Sequence, residues 1–152
     1  MLTSERIAPS DDLLQQACDQ ACAALAQGPV EVTQDDRGRR AFGLCLDGID
    51  LSVVHLPGEP ADTLHALADV APPLPGRPWG PLLEINAWLV PLSDATLCRH
   101  PATGGVLLRA RLNWPGCGGR FIDEIRRLAD MARQLRQVCG MPQGAAVEGM
   151  AA

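Results

Sequence analysis

The chain has 152 residues, a length typical of one domain, and its 47% hydrophobic and 20% charged residues are ordinary for a globular protein. All 13 basic residues are arginine, only 3% of the residues are aromatic, and the formal net charge is −5. Nucleic acid is therefore a poor partner, because a negative field repels phosphates and few rings are available for base stacking. The same charge argues against binding to anionic membranes.

Residues 1–16 show no basic segment followed by an apolar run, so no cleaved secretory signal is expected. Nowhere do about 18 apolar residues follow one another, the length that a membrane-spanning helix needs. We therefore predict a cytoplasmic protein. Residues 1–140 are expected to form a single domain, and residues 141–152 a flexible carboxy-terminal tail.

An amphipathic helix is predicted over residues 10–27, because apolar side chains recur there at helical spacing. Ser10 is a suitable N-cap, and Gly28 followed by Pro29 is a typical helix end. Its predicted apolar stripe consists of Leu14, Cys18, Ala21, Cys22 and Leu25.

A hairpin is predicted next, because apolar residues alternate with small or polar ones on both sides of Asp47-Gly48, a strong two-residue turn signal. The implied register gives one face six large apolar side chains: Phe42, Leu44, Leu46, Ile49, Leu51 and Val53. The opposite face is shallow and only partly polar, with Gly43, Cys45, Asp50, Ser52 and Val54. The first face therefore needs a helical cover.

The stretch WGPLLEINAWLV, residues 79–90, predicts a helix, because Pro81 suits a first helical turn and Pro91 blocks continuation. Apolar side chains cover it almost all round, interrupted only by Glu84 and Asn86. A helix of this kind is buried on two sides. In so small a chain, we expect the second side to contact another copy of the protein.

The remaining elements are a strand over residues 63–70, a hairpin over residues 95–112 and a last helix from after Gly119 to about Val138. In the second hairpin Arg109 and Arg111 point away from the apolar face. The last helix has a buried stripe of Phe121, Ile125, Leu128, Ala132 and Leu135. The predicted fold class is α+β, an α-β-β-β-α-β-β-α sandwich with an antiparallel sheet.

The sequence contains no strong enzyme motif. No P-loop, GxSxG, GxGxxG or HExxH motif occurs, and no histidine has a carboxylate or cysteine at a recognised ligand spacing. The cysteines form no CxxC pair, so we expect reduced, mostly buried thiols. Cys18 and Cys22, four residues apart, remain an alternative thiol or metal pair. We predict no catalytic residue, no metal and no cofactor, and hence no enzyme.

Four stretches in this order resemble the class I type III secretion chaperones, the family named for the Tir chaperone CesT. They are FGLCLDGIDLSVV (42–54), LHALADVAPPLP (64–75), LLEINAWL (82–89) and DATLCRHPATGGVLLRARL (94–112). The resemblance extends over about residues 11–137. It implies a cytoplasmic homodimer that binds the extended amino-terminal region of a secreted effector and keeps it soluble for export, without chemistry.

By this resemblance, seven residues of the apolar helix and second hairpin are divided between the core and the dimer contact: Leu82, Leu83, Ile85, Trp88, Leu89, Leu97 and Leu108. The alternative is that all of them are buried within one chain. Shallow grooves and strand edges suit an extended peptide, and the candidate effector-binding residues are Leu13, Gly43, Cys45, Ser52, Val54, Leu56 and Leu67. The export ATPase is a further candidate partner of such a chaperone. The main alternative is a homodimeric regulatory or adaptor protein of the same fold that binds a folded partner.

Overall fold

The computed structural model describes residues 12–60, 62–73, 80–89, 94–114 and 120–138. The elements in these residues are α1 (Leu13–Ala24), β1 (Thr33–Gln34), β2 (Arg40–Leu46), β3 (Ile49–His55), β4 (Thr63–Ala71), α2 (Gly80–Leu89), β5 (Thr96–Arg99), β6 (Val106–Asn113) and α3 (Arg120–Val138). The six strands form one antiparallel sheet in the order β1-β2-β3-β4-β6-β5. The α+β prediction is confirmed, with the two-residue β1 as an additional strand.

The first helix is shorter than predicted at both ends. It begins after Asp12, whose side chain does not cap it and instead pairs with Arg40 at 3.1 Å, while Ser10 lies outside the described residues. At the other end Ala26 takes a left-handed backbone conformation (φ 51°), which stops the helix before Gly28 is reached. Local backbone geometry, rather than the glycine, therefore sets the carboxy-terminal end of α1.

The first hairpin has the predicted register, with Leu46 opposite Ile49 and Phe42 opposite Val53. Asp47 and Gly48 both have positive φ angles, 49° and 81°, as a two-residue turn between twisted strands requires. The alternation of large apolar residues with small or polar ones therefore gives the hairpin two chemically different faces.

One face of the sheet, called the core face here, is covered by α1 and α3. Its buried strand residues include Phe42, Leu44, Ile49, Leu51, Val53, Leu64, Ala66, Ala68, Leu108 and Leu112. The predicted stripe of α3 is confirmed, because Phe121, Ile125, Leu128, Ala132 and Leu135 are all buried. This packing satisfies the need of the hairpin's apolar face for a helical cover.

Arg136 of α3 reaches across to the ends of two strands. Its Nε donates to the carbonyl of Val70 at 3.0 Å, and its Nη1 donates to the carbonyl of Gly48 at 3.2 Å. Nη2 donates to the carbonyl of Asp69 at 3.4 Å. These contacts tie α3 to the first hairpin and to β4, so the sheet and its helical cover hold each other in place.

The predicted central helix is confirmed as α2, which lies beside the edge strand β5. Its predicted neighbours Trp79, Val90 and Pro91, and the predicted tail over residues 141–152, lie outside the described residues. Among the described helices, none combines the length and the apolar character needed to cross a bilayer.

Candidate functional site

The face of the sheet opposite the core face is called the open face here. Its middle row runs across four neighbouring strands, because Gly43 pairs with Ser52, Ser52 with Leu67, and Leu67 with Arg109. Gly43, Ser52 and Arg109 are exposed and Leu67 is half-buried. Three predicted effector-binding residues thus form one continuous, shallow row.

Two more predicted residues lie on the same face. Cys45 is exposed at one end of β2, and Val54 is half-buried on β3. The open face therefore brings together five of the seven candidates. Its central surface is made of small and apolar side chains, which is compatible with close approach of another chain.

The remaining two candidates lie elsewhere. Leu56 is half-buried just beyond the end of β3, next to the open face in sequence but outside the strands. Leu13 is half-buried at the start of α1 and packs against the core cluster. The structure does not bring Leu13 together with the other six, because α1 covers the core face.

A buried histidine supports one end of the open face. His65 is 4% exposed, and its Nε2 lies 2.7 Å from a Glu59 carboxylate oxygen. Its Nδ1 accepts from Nε and Nη2 of Arg109 at 3.3 and 3.0 Å, which assigns the ring proton to Nε2. The hydrogen bond from His65 lowers the pKa of Glu59, with smaller contributions from the nearby positive charges of Arg111 and Arg109. Glu59 thus stays ionised and fixes the ring that orients Arg109.

The other end of the open face is acidic. Asp69 lies opposite Leu107 on β6, and Asp50 is close to it on β3. Partial burial raises the pKa of the Asp69 carboxyl, and the negative charge of Asp50 raises it further, while Arg136 and His100 act in the opposite direction. Both aspartates are exposed enough to meet a partner.

The predicted dimer residues divide into two groups. Leu82, Leu97 and Leu108 are buried within this chain, whereas Leu83 and Trp88 are 62% and 75% exposed. Ile85 and Leu89 are half-buried against the core. The helix α2 therefore turns one apolar side inward, and Leu83 and Trp88 form an apolar outer side that no described part of the chain covers. Homodimer formation remains a prediction.

The thiol alternative finds little physical support in the geometry. Cys18 is buried in the core, and burial together with neighbouring Cys22 raises the pKa of its thiol to about 11. A thiol of this kind is protonated at neutral pH, whereas metal binding and nucleophilic attack need the thiolate. Cys18 instead points to the carbonyl of Val30 at 3.7 Å.

The sequence patterns did not predict the contact between His65 and Glu59, nor the acidic end of the open face at Asp69. Strand periodicity of β4 carried part of the signal, since Leu64, Ala66, Ala68 and Val70 alternate with His65, Leu67 and Asp69. It did not indicate that Glu59, from the loop before β4, would reach the ring of His65. Contacts between a loop and a strand depend on loop conformation, which alternation does not encode.

Comparison with solved structures places this arrangement in a known fold. A chain in the ExsC–ExsE complex has a TM-score of 0.61 and 16% identity, over 87% of this chain and 96% of that chain. A chain in the HopA1–SchA chaperone–effector complex has a TM-score of 0.60 and 14% identity, over 82% and 94%. The type III secretion chaperone SycH of Yersinia pestis, solved with a fragment of YscM2, gives 0.54 and 16%, over 79% and 97%.

No family model matches the sequence, and no curated protein is significantly similar to it. At identities of 14–16% the structural likeness establishes the fold alone. That fold is the one found in type III secretion chaperones, and it confirms the fold that the sequence resemblance implied.

Proposed function

We propose that this protein is a non-enzymatic cytoplasmic chaperone that binds the extended amino-terminal region of a type III secretion effector. In this proposal the bound effector stays soluble and competent for export. The observation that carries the proposal is the open face, with its row Gly43, Ser52 and Leu67, in a chain that has the type III secretion chaperone fold.

Support for an extended partner comes from the shape of this surface. Gly43 has no side-chain carbon and Ser52 has a small side chain, so a peptide main chain can approach the sheet closely there. Half-buried Val54 and Leu67 offer apolar contact for alternate side chains of such a peptide.

Support for a homodimer comes from the outer side of α2. Leu83 and Trp88 are the two large hydrophobic side chains that are exposed among the described residues. Their removal from water by a second copy would be favourable, at about 1.5–3 kcal/mol for each large side chain fully buried. The open face lies on the sheet and this apolar side on α2, so in this proposal dimer formation and effector binding use different surfaces.

Affinity capture from the source cells, using the full chain as bait, tests the proposal. Limited proteolysis of the captured complex then maps which part of the partner is protected. We expect one secreted protein, protected over roughly its first hundred residues and cleaved elsewhere at the rate of the free protein. Protection of a compact folded domain would instead support the adaptor alternative and contradict the chaperone proposal.

A matched control separates specific capture from adhesion to the apolar side of α2. The bait variant Leu83→Asp plus Trp88→Asp removes that side and leaves the open face unchanged. The folded monomeric fraction of this variant, separated from aggregate by size exclusion, should retain a partner held by the open face in equal amount per bait molecule. A partner lost with this variant alone would be bound through α2, which contradicts the proposed site.

A further inference from the structure

Opposite charges occupy the two ends of the open face. Arg111 lies opposite His65 at one end, and Arg109, which starts from the middle row, turns its guanidinium toward the same end to reach His65. Asp50 and Asp69 lie at the other end. Within the described residues none of these four forms an ion pair. The chain therefore presents two separate charged groups on one surface, each compensated only in part: Glu59 lies near the arginines, and Arg136 and His100 lie near Asp69.

The basic end is held in a fixed geometry. Arg109 directs its Nε and one terminal nitrogen to His65, and the buried ring is anchored by Glu59. The remaining N–H groups of the guanidinium are available to an acceptor outside the chain. A planar guanidinium that is already oriented loses little side-chain entropy when it binds a carboxylate.

The acidic end is unfavourable as it stands. Asp50 and Asp69 repel each other, and no described basic side chain lies within ion-pair distance of either. A positive side chain from a partner would relieve this repulsion. The two aspartates lie on one side of the row that holds Ser52 and Leu67, and Arg111 and the guanidinium of Arg109 lie on the other.

We propose that the open face selects a segment with a carboxylate side chain at one end, an apolar side chain in the middle and a basic side chain at the other end. This inference rests on the proposed function and specifies the chemistry of the segment that is bound. From His65 to Asp69 the strand β4 advances four residues, or about 13 Å at about 3.3 Å per residue. In an extended partner the two charges are therefore about four residues apart and project to the same side.

The test uses two synthetic peptides of about nine residues and identical composition. The polarised peptide carries Glu, Val and Arg at positions three, five and seven with Ser elsewhere. The control peptide carries Val, Glu and Arg at those positions, so that its charges are only two residues apart. NMR titration of the isotope-labelled full chain at low salt gives both affinities and the residues that respond.

We expect the polarised peptide to bind about tenfold more tightly than the control, because only its charges reach both ends. The amide signals of Ser52 and Leu67 should shift. Since a peptide can lie in either direction on the face, the order of the two charges along the peptide is not decisive. Equal affinity of the two peptides would overturn the proposal.

The second part of the test reverses the charge of the basic end. Arg109→Glu plus Arg111→Glu should weaken the polarised peptide by about tenfold, and a peptide with Arg at both charged positions should recover that affinity. Circular dichroism checks that the variant is folded. If the folded variant binds the polarised peptide as the wild type does, or gains nothing with the doubly basic peptide, the proposal is wrong.

Two further outcomes are distinguishable from these. If the same variant changes the mass of the unliganded protein in light scattering, a second copy occupies the open face, and the proposal is overturned. If the peptides discriminate as expected but affinity capture yields no secreted protein, the charge inference stands and the proposed function fails. If a secreted protein is captured but the two peptides bind equally, the proposed function stands and the charge inference fails.

Discussion

The side-chain amide of Asn86 pairs with both main-chain groups of Leu97. Its Nδ2 donates to the Leu97 carbonyl at 3.1 Å, and the Leu97 N–H donates to its Oδ1 at 2.6 Å. Leu97 lies on β5, the last strand of the sheet, so the amide of α2 takes the place of a further strand. Because an unpaired strand edge is a template for unwanted pairing, this contact both positions α2 and protects the edge.

Replacement of Asn86 by Leu should destabilise the fold by about 1–3 kcal/mol, because both main-chain groups of Leu97 lose their partner in a half-buried site. Urea unfolding at fixed protein concentration measures the change. Asn86→Asp is the matched control, since it keeps an acceptor for the N–H but places a negative charge beside the carbonyl. An unchanged unfolding midpoint for Asn86→Leu would show that the contact does not contribute.

Gln27 makes the same kind of contact at the opposite side of the sheet. Its Nε2 donates to the carbonyl of Cys45 at 2.9 Å, and the Cys45 N–H donates to its Oε1 at 3.0 Å. We predict that Gln27→Leu accelerates hydrogen exchange of the Cys45 amide and costs only about 0.5–1.5 kcal/mol, because this edge is exposed. Gln134→Leu on α3 is the control. Equal exchange in the two variants would contradict the role of Gln27.

Asp69→Asn tests the electrostatics of the open face. Because the pKa of Asp69 is raised in the folded protein, mainly by partial burial, ionisation of this carboxyl favours the unfolded state. The contribution of protonated Asp69 to the stability of the folded state is complete below 3.8, the ordinary pKa of this carboxyl. It is lost as pH rises through the raised pKa. The variant should therefore be more stable than the wild type at pH 7, with no advantage near pH 3.

Urea unfolding of both proteins across this pH range measures the difference. A variant that is less stable at pH 7 would contradict the sign. The same variant should bind the polarised peptide more weakly, because the acidic end loses one charge. Greater stability combined with weaker binding is the behaviour expected of a side chain kept for function.

The dimer prediction concerns the outer side of α2. Leu83→Asp plus Trp88→Asp should give a monomer or an aggregate, because charged side chains cannot be buried unpaired at a contact between two copies. Light scattering after size exclusion measures the mass. Gln134→Asp plus Gln137→Asp adds the same charge to exposed positions of α3 and should retain the wild-type mass. A dimeric Leu83/Trp88 variant would contradict the assignment.

Sequence periodicity predicted the sheet and α3 well, since the alternation around Asp47-Gly48 and the stripe from Phe121 to Leu135 are simple repeats. Both depend on burial of one face, which is written directly into the order of residues. The ends of α1 were predicted poorly. They depend on the left-handed conformation at Ala26 and on the pairing of Asp12 with Arg40, neither of which periodicity reveals.

The open face was predicted in part. Alternation placed Gly43, Ser52 and Val54 on one side of the hairpin, and the partner strands extended that side to Leu67 and Arg109. The strand order, with β6 between β4 and β5, could not be derived from local patterns. The opposite charges of its two ends lie on one face only because β3, β4 and β6 are neighbours in the sheet.

The proposed function requires the open face to bind the unfolded segment of a secreted partner. The most direct test is quantitative capture from source cells with Ser52→Trp, which fills the middle of the open face, against Gln134→Trp, which adds the same side chain to an exposed position of α3. Both variants must match the wild type in mass and in unfolding midpoint. If the open face holds the partner, Ser52→Trp loses the secreted partner and Gln134→Trp retains it, whereas equal retention by both would contradict this binding site.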